Sequence, residues 1–155
     1  MADRAMVDEN QLLLERQVCF ALAVANRSVL KIYRRLLEPL GLTHPQYLVM
    51  LALWETSPRA VKDIGHVLQL DSATLSPLLK RLEGSGLVIR QRRDDDERNV
   101  DVALTGAGRE LRTKALDIPP AVVSALGVDM ADLEELHAVL TRVNVAALRA
   151  ESEGP

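Results

Sequence analysis

The sequence predicts a mainly α chain with a small β-hairpin, and three observations carry that reading. The 155 residues are 48% hydrophobic but only 3% aromatic. The apolar content is therefore nearly all aliphatic, which suits helices better than stacked sheets. Several stretches place apolar residues three, four or seven apart. After Gly84-Ser85-Gly86 the period changes from 3.6 to 2, in two short runs around a polar tip. The length is that of one domain, 1–155. No stretch approaches the roughly 18 uninterrupted apolar residues of a membrane span. Positions 1–10 hold three acids and no apolar segment such as a signal peptide carries. A single cysteine makes no internal disulfide, which fits a cytoplasmic chain without membrane association.

The elements follow in order. From about residue 9 to Leu40 the pattern is helical, with Leu22, Val29, Tyr33, Leu36 and Leu40 in register, and Pro39 and Gly41 end it. Thr43 and Gln46 form a capping box around Pro45. The run from Tyr47 to Trp54 is apolar nearly all round, so this helix is central and buried. Thr56-Ser57-Pro58 stops it. Ala60 to Leu68 is a short helix, and Asp71-Ser72 starts another after a tight turn. Leu75, Leu78, Leu79 and Leu82 form the inner stripe of that second helix, leaving Ser72, Thr74, Ser76, Lys80 and Arg81 outside. Pro77 lies beyond the first turn, so a bent or late-starting helix is expected. Two short helices with a tight turn and a polar outer face make a helix-turn-helix.

Beyond it, Leu87 and Ile89 alternate with Val88, Arg90 and Arg92, and Val100, Val102 and Leu104 alternate with Asp101 and Ala103. A hairpin directly after a helix-turn-helix is a wing. Thr105 caps a helix to about Leu116, which Ile118-Pro119-Pro120 interrupts. Asp129 caps a last helix from Met130 to about Ala150, on which Leu133, Leu136, Leu140, Val143 and Ala147 make a stripe wide enough to bury.

The net charge of −3 would argue against nucleic acid if it were evenly spread. It is not. Residues 58–104 carry eight charges of each sign, and the negative excess lies in 105–155. Between Lys80 and Arg93 stand Lys80, Arg81, Arg90, Arg92 and Arg93 against Glu83 alone. This local basic face, joined to the helix-turn-helix, points to double-stranded DNA as partner. Ser72, Thr74 and Ser76 would read or position on the major groove, while Lys80, Arg90 and Arg92 hold phosphates. At the wing tip Asp96 stands two residues before Arg98. Such an acid can hold a guanidinium fork for a narrow minor groove, with Arg98 as the contact and Asp96 as its support.

Cys19 is ambiguous from the residues alone. A lone cysteine on an apolar helix face reads as a small buried hydrophobe. Reactivity would need a cation, a helix N-terminus or hydrogen bonds at the sulfur, and Arg16 is the nearest cation in sequence. Cys19 and the three histidines (His44, His66, His137) have no metal-ligand spacing. No phosphate-binding glycine loop is present, so neither metal nor cofactor is expected. A Cys–His enzyme built on Cys19 and His44 lacks any local signature.

The helix-turn-helix, the wing with its D-x-R and the flanking helices resemble the MarR family of winged-helix regulators over nearly the whole chain. More narrowly, the runs Asn10-Gln11, Cys19-Phe20-Ala21-Leu22, Tyr33 to Thr43, Pro45-Gln46-Tyr47, Leu53-Trp54-Glu55 and Leu70 to Glu83 resemble the organic-hydroperoxide sensors called OhrR. That resemblance implies a homodimeric repressor, not an enzyme. Its dimerisation helices would be 8–40 and 105–152 and its winged helix-turn-helix DNA-binding region 43–104, on a pseudo-palindromic operator. It makes Cys19 the redox sensor, oxidised by an organic hydroperoxide, and Tyr33 a hydrogen-bonding partner at the sensor site. His44 and Ala23 stand where tyrosines are common in the family, and His44 would serve there as donor or cation. With no second cysteine, a low-molecular-weight thiol would resolve the sulfenic acid. Cys19 and Tyr33 are 14 residues apart, about 21 Å along one straight helix, so their pairing would cross the dimer. The alternative reading is a regulator of the same type that answers a phenolic or other small ligand, with Cys19 inert.

Overall fold

A computed structural model describes residues 9–95 and 99–154. The chain divides into two compact units, one ending at Leu116 and the other beginning at Asp117.

In the first unit, two short 3-10 turns (Glu9–Leu12 and Leu14–Arg16) precede α1, Val18–Leu37. The first long helix thus starts about nine residues later than its apolar spacing suggested. Another 3-10 turn, Glu38–Leu40, leads through Gly41 at φ 68 to α2, His44–Glu55. The capping box forms as expected: the Thr43 amide donates to Gln46 Oε1 at 2.9 Å, and the Gln46 amide donates to Thr43 Oγ1 at 3.4 Å. Tyr47, Val49, Met50, Ala52 and Leu53 are all buried on α2. It packs on α1 and on later elements of the same unit. An all-round apolar helix has to be central, because it has no face to give to water.

β1 is Arg59–Ala60, α3 Val61–Leu68 and α4 Ser72–Gly84. β2 is Val88–Arg92, β3 Val100–Leu104 and α5 Gly106–Ala115. The three strands form an antiparallel sheet in the order β1-β3-β2, with Arg59 opposite Val102 and Val88 opposite Leu104. The hairpin therefore carries a third strand. Two residues are too few to show a period, so β1 was hidden in the start of the following helix.

The phase of β2 is also opposite to the expected one. Val88 is 1% exposed and Ile89 41%. Val88 is thus the inward residue of β2, and Arg90 and Arg92, in phase with it, are exposed; a one-residue slip exchanges the faces of a strand. On β3 the expected alternation holds, with Val102 and Leu104 buried. Pro77 causes no late start, since α4 begins directly after its cap Asp71 and runs through the proline. The lost hydrogen bond belongs to an exposed flank of the first turns, where water can replace it.

The second unit holds α6, Ile118–Leu126, and α7, Met130–Ser152. Pro119 and Pro120 do not merely interrupt: they sit in the first turn of α6, where a missing amide hydrogen costs little. Asp129 is the N-cap of α7 but makes no side-chain capping bond, and none of the 23 residues of α7 is buried. The stripe seen in the sequence is present and open. Among the described residues no helix is long and apolar enough to cross a membrane.

Candidate functional site

The turn between α3 and α4 is shaped by backbone close approach. The Leu70 amide donates to the Gly65 carbonyl at 2.9 Å, and Gln69 takes the left-handed conformation at φ 53. A Cβ on Gly65 would stand 2.9 Å from the Leu70 carbonyl oxygen, so glycine lets this turn close. Asp71 Oδ1 then accepts the Thr74 amide at 2.7 Å and starts α4. That bond holds the Asp71 carboxyl below its ordinary range. Leu75, Leu78, Leu79 and Leu82 are buried, which leaves Ser72, Thr74, Ser76 and Lys80 exposed as expected. Ser72, Ser76 and Lys80 recur at i, i+4 and i+8, one row along the helix. Ser72 and Ser76 also edge an open cavity of about 290 Å³ that Lys62, Arg90 and Asn99 help to line.

The wing is tied to the helices at its base. Thr105 Oγ1 donates to the Gly86 carbonyl at 2.6 Å and accepts the Gly108 amide at 3.0 Å. Ser57 Oγ accepts the Leu104 amide at 3.0 Å. Trp54 Nε1 donates to the Gly108 carbonyl at 2.9 Å, and a Cβ on Gly108 would collide with the Leu87 carbonyl.

Two of the wing's arginines are engaged within the chain. Arg90 Nε and Nη2 both donate to Glu83 Oε2, at 2.9 and 2.7 Å, and the Arg90 amide donates to Glu83 Oε1 at 3.3 Å. Arg93 Nε donates to both oxygens of Asp101, at 3.0 and 2.9 Å, which pushes the guanidinium pKa further up. Glu83 and Asp101 were not singled out in the sequence. Their signal, an acid seven or eight residues from an arginine, has meaning only once helix, turn and strand are placed. Arg92 is exposed. Asp96 and Arg98 lie outside the described residues.

Cys19 is the second residue of α1 and is exposed, so it is not the buried hydrophobe that the residues alone suggested. Tyr33 and His44 come together at the other end of the helix, ring centroids 4.6 Å apart and edge-on. Tyr47 joins them, 6.0 Å from Tyr33 and 6.3 Å from His44, and Trp54 lies 6.4 Å beyond Tyr47. Burial lowers the His44 pKa and raises that of Tyr33. His44 is therefore neutral at neutral pH, a donor and acceptor rather than a cation. An open groove of about 510 Å³ runs beside it, lined by Leu30, Arg34, Glu38, Leu42, Thr43 and His44 among others. α1 is unbroken between Cys19 and Tyr33, which sets them about 21 Å apart along its axis. One protomer does not bring thiol and aromatic cluster together. Among the described residues no group of His, Cys, Asp and Glu could hold a metal ion.

Residues 31–115 match the family described as transcriptional regulator SarA/Rot. The organic hydroperoxide resistance transcriptional regulator of Bacillus subtilis (strain 168) is 44% identical over 127 residues, 82% of this chain and 86% of that protein. The chain belongs to the SarA/Rot and MarR-type winged-helix transcriptional regulators. Another relative of this regulator, TtmR of Methylorubrum extorquens (strain PA1), is 46% identical over 89% of this chain and 68% of its own length. Among solved structures, reduced AbfR bound to DNA superposes with a TM-score of 0.80 at 33% identity. The likeness covers 91% of the regulator and 96% of AbfR, a protein of Staphylococcus epidermidis. The relatives and the family it matches are transcriptional regulators by name, which makes the chain a regulator rather than an enzyme.

Proposed function

We propose that the regulator is a homodimeric repressor of a pseudo-palindromic operator, released when an organic hydroperoxide oxidises Cys19. The exposed thiol of Cys19 carries this reading. It is the chain's one cysteine, set in the first turn of α1 and open to a reactant. The likeness to the B. subtilis hydroperoxide-resistance regulator supports the choice of oxidant.

The thiolate attacks one peroxide oxygen, the O–O bond breaks, and the departing alkoxide takes a proton to leave as alcohol. Cys19 then carries a sulfenic acid. A low-molecular-weight thiol condenses with it, losing water and leaving a mixed disulfide. Leu12, Val18, Phe20 and Val24 near the N-terminus, and Leu136, Leu140 and Val143 on α7, are exposed in the protomer. A second copy of the chain would cover such apolar faces. In that dimer the Tyr33 and His44 facing Cys19 would belong to the partner, with His44 as a neutral donor. The two-fold symmetry would match the operator's half-sites.

On DNA, Ser72, Thr74 and Ser76 would lie in the major groove, with Lys80 at the end of the row on phosphate. Arg92 would hold phosphate, and Arg98, supported by Asp96, would enter the minor groove. The deciding measurement is a mobility shift on the DNA upstream of the regulator's own gene, before and after cumene hydroperoxide. Cys19→Ser should bind as the parent does and stay bound after treatment. A Cys19→Ser protein that still dissociates removes the thiol from the mechanism and leaves a small-ligand response in its place.

A further inference from the structure

Glu83 closes the last turn of α4, and its carboxylate meets β2 twice, at the guanidinium and at the backbone amide of Arg90. The sheet order makes β2 an edge strand. Ladder bonds occur at Leu87 with Thr105 and at Arg93 with Asn99. The antiparallel alternation turns the amides of Val88, Arg90 and Arg92 away from β3. Glu83 thus fills an outward amide on an open edge and fixes the side chain of the same residue. A planar guanidinium held through two nitrogens resists rotation as a single contact does not. This is the sole acid among the basic residues from Lys80 to Arg93, and it is spent on the joint between the DNA-reading helix and the wing.

We infer that Glu83 and Arg90 form a brace that sets the wing's angle to α4, and that Arg90 is a positioning residue rather than a phosphate contact. The inference rests on the DNA-binding reading above, since the angle matters only if helix and wing engage one duplex together. Two readings of an acid beside DNA then give opposite signs. An acid that merely repels phosphate weakens binding, so its removal should tighten the complex. An acid that positions the wing supports binding, so its removal should loosen it.

Glu83→Ala, Arg90→Gln and the double variant test this on a labelled duplex from the DNA upstream of the regulator's own gene, titrated across salt concentrations. Each single variant is expected to lose affinity by about two- to fivefold, the scale of one exposed ion pair. The double variant should lose no more than the weaker single one, because both remove the same interaction. The salt slope should stay parental in Arg90→Gln, whereas Lys80→Gln and Arg92→Gln should each flatten it by about one. Without DNA, amide exchange across 88–92 should quicken in Glu83→Ala at an unchanged melting temperature. Tighter binding by Glu83→Ala, a slope flattened by about one in Arg90→Gln, or parental exchange in Glu83→Ala overturns the brace. A parent that binds no duplex while exchange still responds overturns the DNA-binding reading instead.

Discussion

α4 and α7 are both amphipathic, yet they treat their apolar faces in opposite ways. α4 has 13 residues and buries four leucines within its own unit. α7 has 23 residues and buries none, although its stripe of Leu133, Leu136, Leu140 and Val143 is as regular. Amphipathic periodicity states that a face seeks cover, not what supplies it. On α4 the cover is internal, and the opposite polar face is free for a ligand. On α7 the cover must come from outside the unit or be absent. α1 repeats the contrast within one helix, since Cys19 and Phe20 at its start are exposed while Leu37 at its end, its one buried residue, is fully buried.

The contrast sharpens when each helix is damaged in turn. Leu82→Ala should cost about 2–5 kcal/mol of folding stability, as other buried leucine truncations do. Urea unfolding followed by helical circular dichroism measures it, and the loss should not depend on protein concentration. A near-neutral result would mean that α4 is not part of the core. Leu140→Glu probes the other helix. Leu140 is 37% exposed in the protomer, so the fold should survive. A glutamate in a dimer interface, however, should weaken association by at least about tenfold, or 1.4 kcal/mol. Sedimentation equilibrium distinguishes the two effects, and parental dimerisation by this variant would take α7 out of the interface.

The smallest effect concerns the aromatic cluster at the buried end of α1. Burial lowers the His44 pKa below its ordinary 6.5, so protonation favours the unfolded chain. The stability that neutral His44 contributes is present above about pH 6.5 and is lost as the pH falls below it. Melting temperatures between pH 7.5 and 5.5 should therefore fall more for the parent than for His44→Gln. Parallel curves would mean that the ring is solvated on acidification.

What the sequence alone determined is what short-range chemistry controls. Thr43 with Gln46, Asp71 with Thr74, and Thr105 with Gly108 each join residues three apart, so the starts of α2, α4 and α5 were legible. The inner stripe of α4 was legible because four leucines at helical spacing leave one arrangement. The positions of Ser72, Thr74, Ser76 and Lys80 followed from it. The family resemblance carried Cys19, Tyr33 and His44, which no local pattern singled out.

Tertiary structure decided whatever depends on a second element. Val88 and Ile89 are both apolar and β-branched, so only packing could set which one faces inward. Arg59 and Ala60 became a strand because β3 offered an unpaired edge more than forty residues on. Arg90 and Arg93 looked like free cations until Glu83 and Asp101 came within 3 Å. A charge in the sequence is a capacity to bind. Whether it is spent inside the chain or presented outside is settled by distance, and distance exists only once the chain has folded.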